Sequence, residues 1–127
     1  MADYRQISQD YARAAVNTSV LLNGGATVAF ISQIGSLVSA GFGPLIIWPL
    51  TLWATGAFLA GTTYPLAFLS ARHVDRSERT EFKSVKEKEI KVSDRYMYSG
   101  IVTSVGSFLL FAFGCAWLAY EFKQLFG

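Results

Sequence analysis

The sequence predicts an all-α integral membrane protein with three transmembrane helices. Two observations carry that expectation. Of the 127 residues, 52% are apolar and only 16% are charged, whereas a soluble domain has nearer a quarter of its residues charged. The charge is also concentrated. Eight of the eleven Lys/Arg and six of the nine Asp/Glu lie between Arg72 and Arg95. What remains is three apolar runs, each long enough to cross about 30 Å of hydrocarbon, which takes roughly 20 residues. A soluble bundle would show polar stripes at helical spacing, and the second and third runs show none. The length suits a single membrane domain over residues 1–127.

In chain order, residues 1–15 form a cytoplasmic helical extension. Tyr4, Ile7, Tyr11 and Ala14 recur at alternating steps of three and four, the spacing of one helical stripe. The register continues through Thr18, Leu21, Gly25, Val28, Ser32 and Gly35 without a Pro, so one helix rises from the extension into the first span, 16–40. A signal peptide is not expected, because the N-terminus is polar and the first apolar run is too long for an h-region. After a Gly41-Phe42-Gly43 turn, the second span covers 44–70, with Pro44 suited to the first helical position. Pro49 and Pro65 each remove a helix hydrogen bond and are expected to bend that span near its ends.

Residues 71–98 read as a charged cytoplasmic helix. Asp75/Arg79, Lys83/Glu87 and Glu87/Lys91 are opposite charges four apart, each worth a few tenths of a kcal/mol. Phe82, Val85, Val92 and Tyr96 give this helix a broken apolar stripe. Docking on the N-terminal extension would use Ile7, Tyr11, Phe82 and Val85; otherwise both helices lie separately at the headgroups. Ser93 or Asp94 is expected to N-cap the third span, 99–122, which ends in an outer tail, 123–127.

Positive charge sets the orientation. The N-terminal segment and the 71–98 connection share a side and together hold ten of the eleven Lys/Arg. That side is expected to be cytoplasmic, with the C-terminus periplasmic. Tyr64, Tyr96 and Tyr98 then fall at the inner boundary, and Trp48, Trp117 and Tyr120 at the outer.

The first span carries the most information. At about 100° per residue, Gly24, Gly25, Val28, Ser32 and Gly35 fall on one side, and Ser19, Asn23, Thr27 and Gln33 loosely on the other. Neither side suits lipid, so this span is expected to be the central helix of the assembly. Asn23 and Gln33 need partners, because an unsatisfied amide in hydrocarbon costs several kcal/mol. By depth, Asn23 is level with Thr62, Thr63, Ser104 and Ser107, and Gln33 with Thr51 and Trp48. Two readings stay open: the amides glue helices together, or they line a polar pathway in an oligomer. Gly56/Ala60 and Gly100/Ser104 repeat the small-xxx-small spacing in the other spans.

Catalytic chemistry is not expected. The chain has one His and one Cys, far apart in sequence, so neither a metal site nor a haem with two axial ligands is expected, and no cofactor. No Asp, Glu, Lys or Arg lies in the interior of a span to relay protons; Glu121 stands at the outer end of the third beside Lys123, where both can reach water. His73, beside Arg72, reads as solvated, and Cys115 has no second cysteine to pair with. A net charge of +2, with basic and acidic residues interleaved, argues against nucleic acid. The Leu22-Asn23-Gly24-Gly25-Ala26 run, after a polar helix containing Tyr11-Ala12, resembles uncharacterised short bacterial inner-membrane proteins with an LNGGA-type segment in their first span. That resemblance implies a bacterial inner membrane and lends no activity. The architecture is also similar to membrane effectors of bacterial antiphage systems. Two main functions follow, with a third beside them. One is a self-associating protein, pore-forming or membrane-perturbing, whose holin-like variant would have shorter loops. The other is a structural accessory subunit of a larger membrane complex; a cytoplasmic ligand sensor is a third.

Overall fold

In a computed structural model, residues 4–126 are described, with side chains for 6–125. They form three α-helices: α1 Tyr4–Ser39, α2 Gly43–Arg79 and α3 Lys83–Phe126. No strand occurs among the described residues. Each helix is long and apolar enough to cross a membrane.

The turn after α1 follows from backbone chemistry. The Gly41 N–H donates to the Val38 carbonyl and the Phe42 N–H to the Leu37 carbonyl, at 3.0 and 2.9 Å. This is the paired closure that satisfies the last carbonyls of a helix, and it needs a left-handed residue between them. Gly41 takes that place with φ +86°. Pro44 enters α2 in its first turn, where no N–H is missed.

The expected helix over 71–98 is corrected here. α2 runs unbroken to Arg79, Thr80 is extended, and α3 starts at Lys83. The charged stretch is therefore two arms of a hairpin that folds back at 80–82. The reason is geometric. One helix of that length would hold the second and third runs about 40 Å apart at 1.5 Å per residue, forfeiting their whole interface. Instead α2 and α3 pair along their length. Ring centroids of Phe42 and Phe122 are 6.0 Å apart and those of Trp48 and Trp117 6.5 Å. Further along, Thr63 and Thr103 hydroxyls meet at 2.9 Å, and Ser70 and Ser93 at 2.9 Å. Ser93 is thus a buried interior residue of α3 and not the N-cap of a span; Asp94 is interior too.

α2, not α1, is the central helix: it packs against both others, while α1 touches α3 only narrowly. Phe30 of α1 meets Trp53 edge-on at 4.9 Å, and the Tyr64 hydroxyl donates to Asn17 Oδ1. Pro49 and Pro65 both lie inside a continuous α2.

Candidate functional site

The three helices meet at one buried polar node, built by small residues. Asn23 and Ser19 on α1 and Ser107 on α3 are fully buried. Gly56 of α2 lies against them without a side chain. The Ser107 hydroxyl donates to the Gly56 carbonyl at 2.7 Å. Its hydrogen is therefore committed, so Ser19 must be the donor in the 2.5 Å Ser19–Ser107 contact. Asn23 Nδ2 lies 3.1 Å from each of three acceptors: the Ser19 carbonyl, the Ser107 carbonyl and Ser107 Oγ. Two hydrogens serve three oxygens, so one is shared. The reverse amide orientation would press Oδ1 against those oxygens, which fixes the assignment.

Asn23 Oδ1 has no hydrogen-bond partner. It fills the space that a Cβ on Gly56 would occupy, at 2.2 Å. The absent methyl is what lets the amide between the helices. A second close approach lies further along the hairpin. The Trp53 indole packs on Gly114, where a Cβ would stand 2.4 Å from Nε1. Nε1 donates to the Phe111 carbonyl at 3.2 Å.

Of the partners expected for Asn23 by depth, the structure brings Ser107 to it. Thr63 pairs instead with Thr103, and Thr62 donates to the Leu59 carbonyl. Ser104 lines an open groove. Thr27 donates to the Asn23 carbonyl at 2.8 Å. Gln33 is exposed and no partner side chain meets it; Thr51 donates to the Ile47 carbonyl. Ser19, Gly56, Thr103 and Trp53 complete these contacts. Among them, the Gly56/Ala60 spacing was the sequence signal nearest to the node.

The opposite face of α1 is uncovered. Gly24, Gly25 and Gly35 have nothing within 4 Å of where a Cβ would stand. Ile7, Tyr11, Ala14, Thr18, Leu21, Gly25, Val28, Ser32 and Gly35 are all exposed; Leu21 is 73% and Val28 67% accessible. Tyr4, which opens this stripe, lies outside the residues whose side chains are described. The docking expected through Ile7, Tyr11, Phe82 and Val85 does not form: all four are exposed. Phe82 sits at the hairpin tip, and α1 turns Ser8, Gln9, Ala12 and Ala15 toward the other helices instead.

His73 is not simply solvated. Its Nδ1 meets Glu89 Oε2 at 2.5 Å, and its ring stacks on Tyr96 at 5.5 Å. The His73 hydrogen bond holds the Glu89 carboxyl below the ordinary carboxylate value, helped by the charges of His73, Arg76 and Lys88 against partial burial. A lowered folded value means the stabilisation is complete above the unfolded value, about 4.3, and is lost as pH falls through the lower folded one. Resistance of the α2–α3 arms to denaturant should therefore fall below about pH 4.3. Glu89→Gln should flatten that part of the curve; an unchanged acid limb in the variant would contradict the assignment.

Among the described residues, no three His, Cys, Asp or Glu side chains converge as a metal site requires. Comparison with protein-family models, curated proteins and solved structures gives no match.

Proposed function

We propose that this chain is a non-enzymatic multipass protein of the bacterial inner membrane that self-associates through α1, in an oligomer of pore-forming or membrane-perturbing type. One observation carries the reading: the uncovered face of α1 keeps a strict alternation of three and four residues from Ile7 to Ser39, all of it exposed. Such a repeat is the mark of a helix that pairs with another helix. In lipid there is no hydrophobic force between helices, and close contact comes from small residues. Thr18, Gly25 and Ser32 supply them at intervals of seven. The amides divide between the two earlier readings: Asn23 is spent inside the chain, whereas Gln33 remains free for a neighbouring copy or a polar path. The charge asymmetry supports a cytoplasmic N-terminus and a periplasmic C-terminus, and the LNGGA-type resemblance supports the bacterial inner membrane.

Purified in mild detergent, the chain should have a protein mass that is a multiple of 13.9 kDa. A monomer at all detergent-to-protein ratios would sink the proposal. Its expression should dissipate the membrane potential, and benign expression of a stable oligomer would remove the pore-forming part alone. The accessory-subunit reading is favoured by a different observation, the exposed Phe82 and Val85 on the projecting hairpin. It predicts a monomer that co-purifies with a larger complex.

A further inference from the structure

A groove of about 840 Å³ separates the first turns of α1 from the α2–α3 hairpin. Small residues create it: Ala12 and Ala15 on α1, Ala67 and Ala71 on α2, and Gly100 on α3 all line it. Larger side chains at these places would fill the slot or push the helices apart. Val16 and Thr63, both buried, line one end, with the half-exposed Ile101 and Val105 beyond them. The other end reaches Asp75 and Glu78.

The groove is amphipathic along its length. From Thr63 to Ser70 it runs about 10 Å between mostly apolar walls, and from Ala71 to Glu78 about 10 Å more to its acidic end, at 1.5 Å per residue. Among the described residues, its only charged lining groups are Asp75 and Glu78. Asp75 is held by Arg79 through both carboxylate oxygens, at 3.0 and 3.2 Å. Glu78 is exposed and has no ion-pair partner among the described residues. An occupant that matches this groove has an apolar chain at one end and a cation at the other.

We infer that the groove holds an inner-leaflet phospholipid whose headgroup ends in a primary ammonium. Its acyl chain lies between Val16, Ala67 and Ile101, and its ammonium lies at Glu78. The direction agrees with the orientation proposed above, since the apolar end points toward the membrane interior and the acidic end toward the cytoplasm. An anionic phospholipid would bring its charge against the unpaired Glu78 carboxylate. The site is separate from the self-association face, which lies on the far side of α1.

This inference rests on the membrane reading, and its test keeps the two apart. The whole chain is reconstituted into nanodiscs of phosphatidylethanolamine and phosphatidylglycerol in equal amounts with identical acyl chains. Lipids that stay bound on release are counted by native mass spectrometry. The wild type should retain the ethanolamine lipid over the glycerol lipid by roughly threefold, the size of one partly exposed ion pair. Asp75→Asn with Glu78→Gln should abolish that preference while leaving the chain inserted. Ala67→Phe, at an exposed position, should reduce retention of both lipids. Equal retention by the wild type, or a preference unchanged in the double variant, would overturn the inference. So would an Ala67→Phe variant that changes the oligomer but not the lipid count. A chain that never enters the nanodisc fails the membrane reading before any lipid is counted.

Discussion

Gly56→Ala is expected to unseat α1 from the hairpin. The new methyl would stand 2.2 Å from Asn23 Oδ1 and 2.6 Å from its Cγ, closer than side-chain atoms pack. Asn23 cannot swing aside cheaply, because three oxygens hold its amide and it is fully buried. Overpacking of this kind costs about 1–3 kcal/mol, and each lost hydrogen bond adds about 1 kcal/mol. Asn23→Ala alone should also destabilise, since the Ser19 and Ser107 carbonyls lose their donor. Once Asn23 is shortened, however, the Gly56 methyl has room. The double variant should therefore lie well short of the sum of the singles, with a coupling of about 1–3 kcal/mol. Trp53 offers the readout, because it packs on Phe30 of α1 and its emission follows α1 docking during denaturation in mixed micelles. Additive single effects would mean that the methyl and the amide do not compete for one space.

The same node shows what the sequence made legible. Asn23 stands out because an amide in an apolar run must find a partner, and helical rise puts it level with four residues, Thr62, Thr63, Ser104 and Ser107, of which only Ser107 meets it. Gly41-Phe42-Gly43 and Pro44 marked the first turn through backbone chemistry that needs no knowledge of the fold. The second turn had no such mark. Thr80, Glu81 and Phe82 contain neither Gly nor Pro, and Asp75/Arg79 and Lys83/Glu87 fit a helix that continues. Only the gain from pairing α2 with α3 favours the break. His73 and Glu89 meet for that reason alone, and nothing in a single continuous helix would bring residues sixteen apart into contact. Within one chain the central place falls to α2. Gly24 and Gly25 read as packing residues, yet the chain packs α1 through Ser19, Asn23 and Phe30. The glycine face is left uncovered within the chain.

What covers that face can be read by cysteine cross-linking between copies. Cys115 is exposed and must first become Ser. In that background, Leu21→Cys, Gly25→Cys, Val28→Cys and Ser32→Cys should form disulfides between copies. Ile31→Cys and Ile34→Cys, exposed but off the stripe, should not. A disulfide needs Cα atoms within about 4.4–6.8 Å, so like positions can bridge along the whole stripe only if the helices run parallel. Antiparallel helices would bridge near one crossing point alone. Gly25→Leu with Ser32→Leu should weaken association by roughly tenfold, since losing close backbone approach is worth on the order of 1 kcal/mol. The length of the cross-linked stretch then fixes the twist. A straight helix of 3.6 residues per turn drifts about 20° per heptad from a 3.5 repeat. Between Ile7 and Ser39 that drift would turn the stripe by roughly 90° and carry one end out of reach. Bridging at Tyr11→Cys as well as at Ser32→Cys therefore requires a left-handed supercoil. Bridging over only one or two turns would mean that the helices cross and diverge.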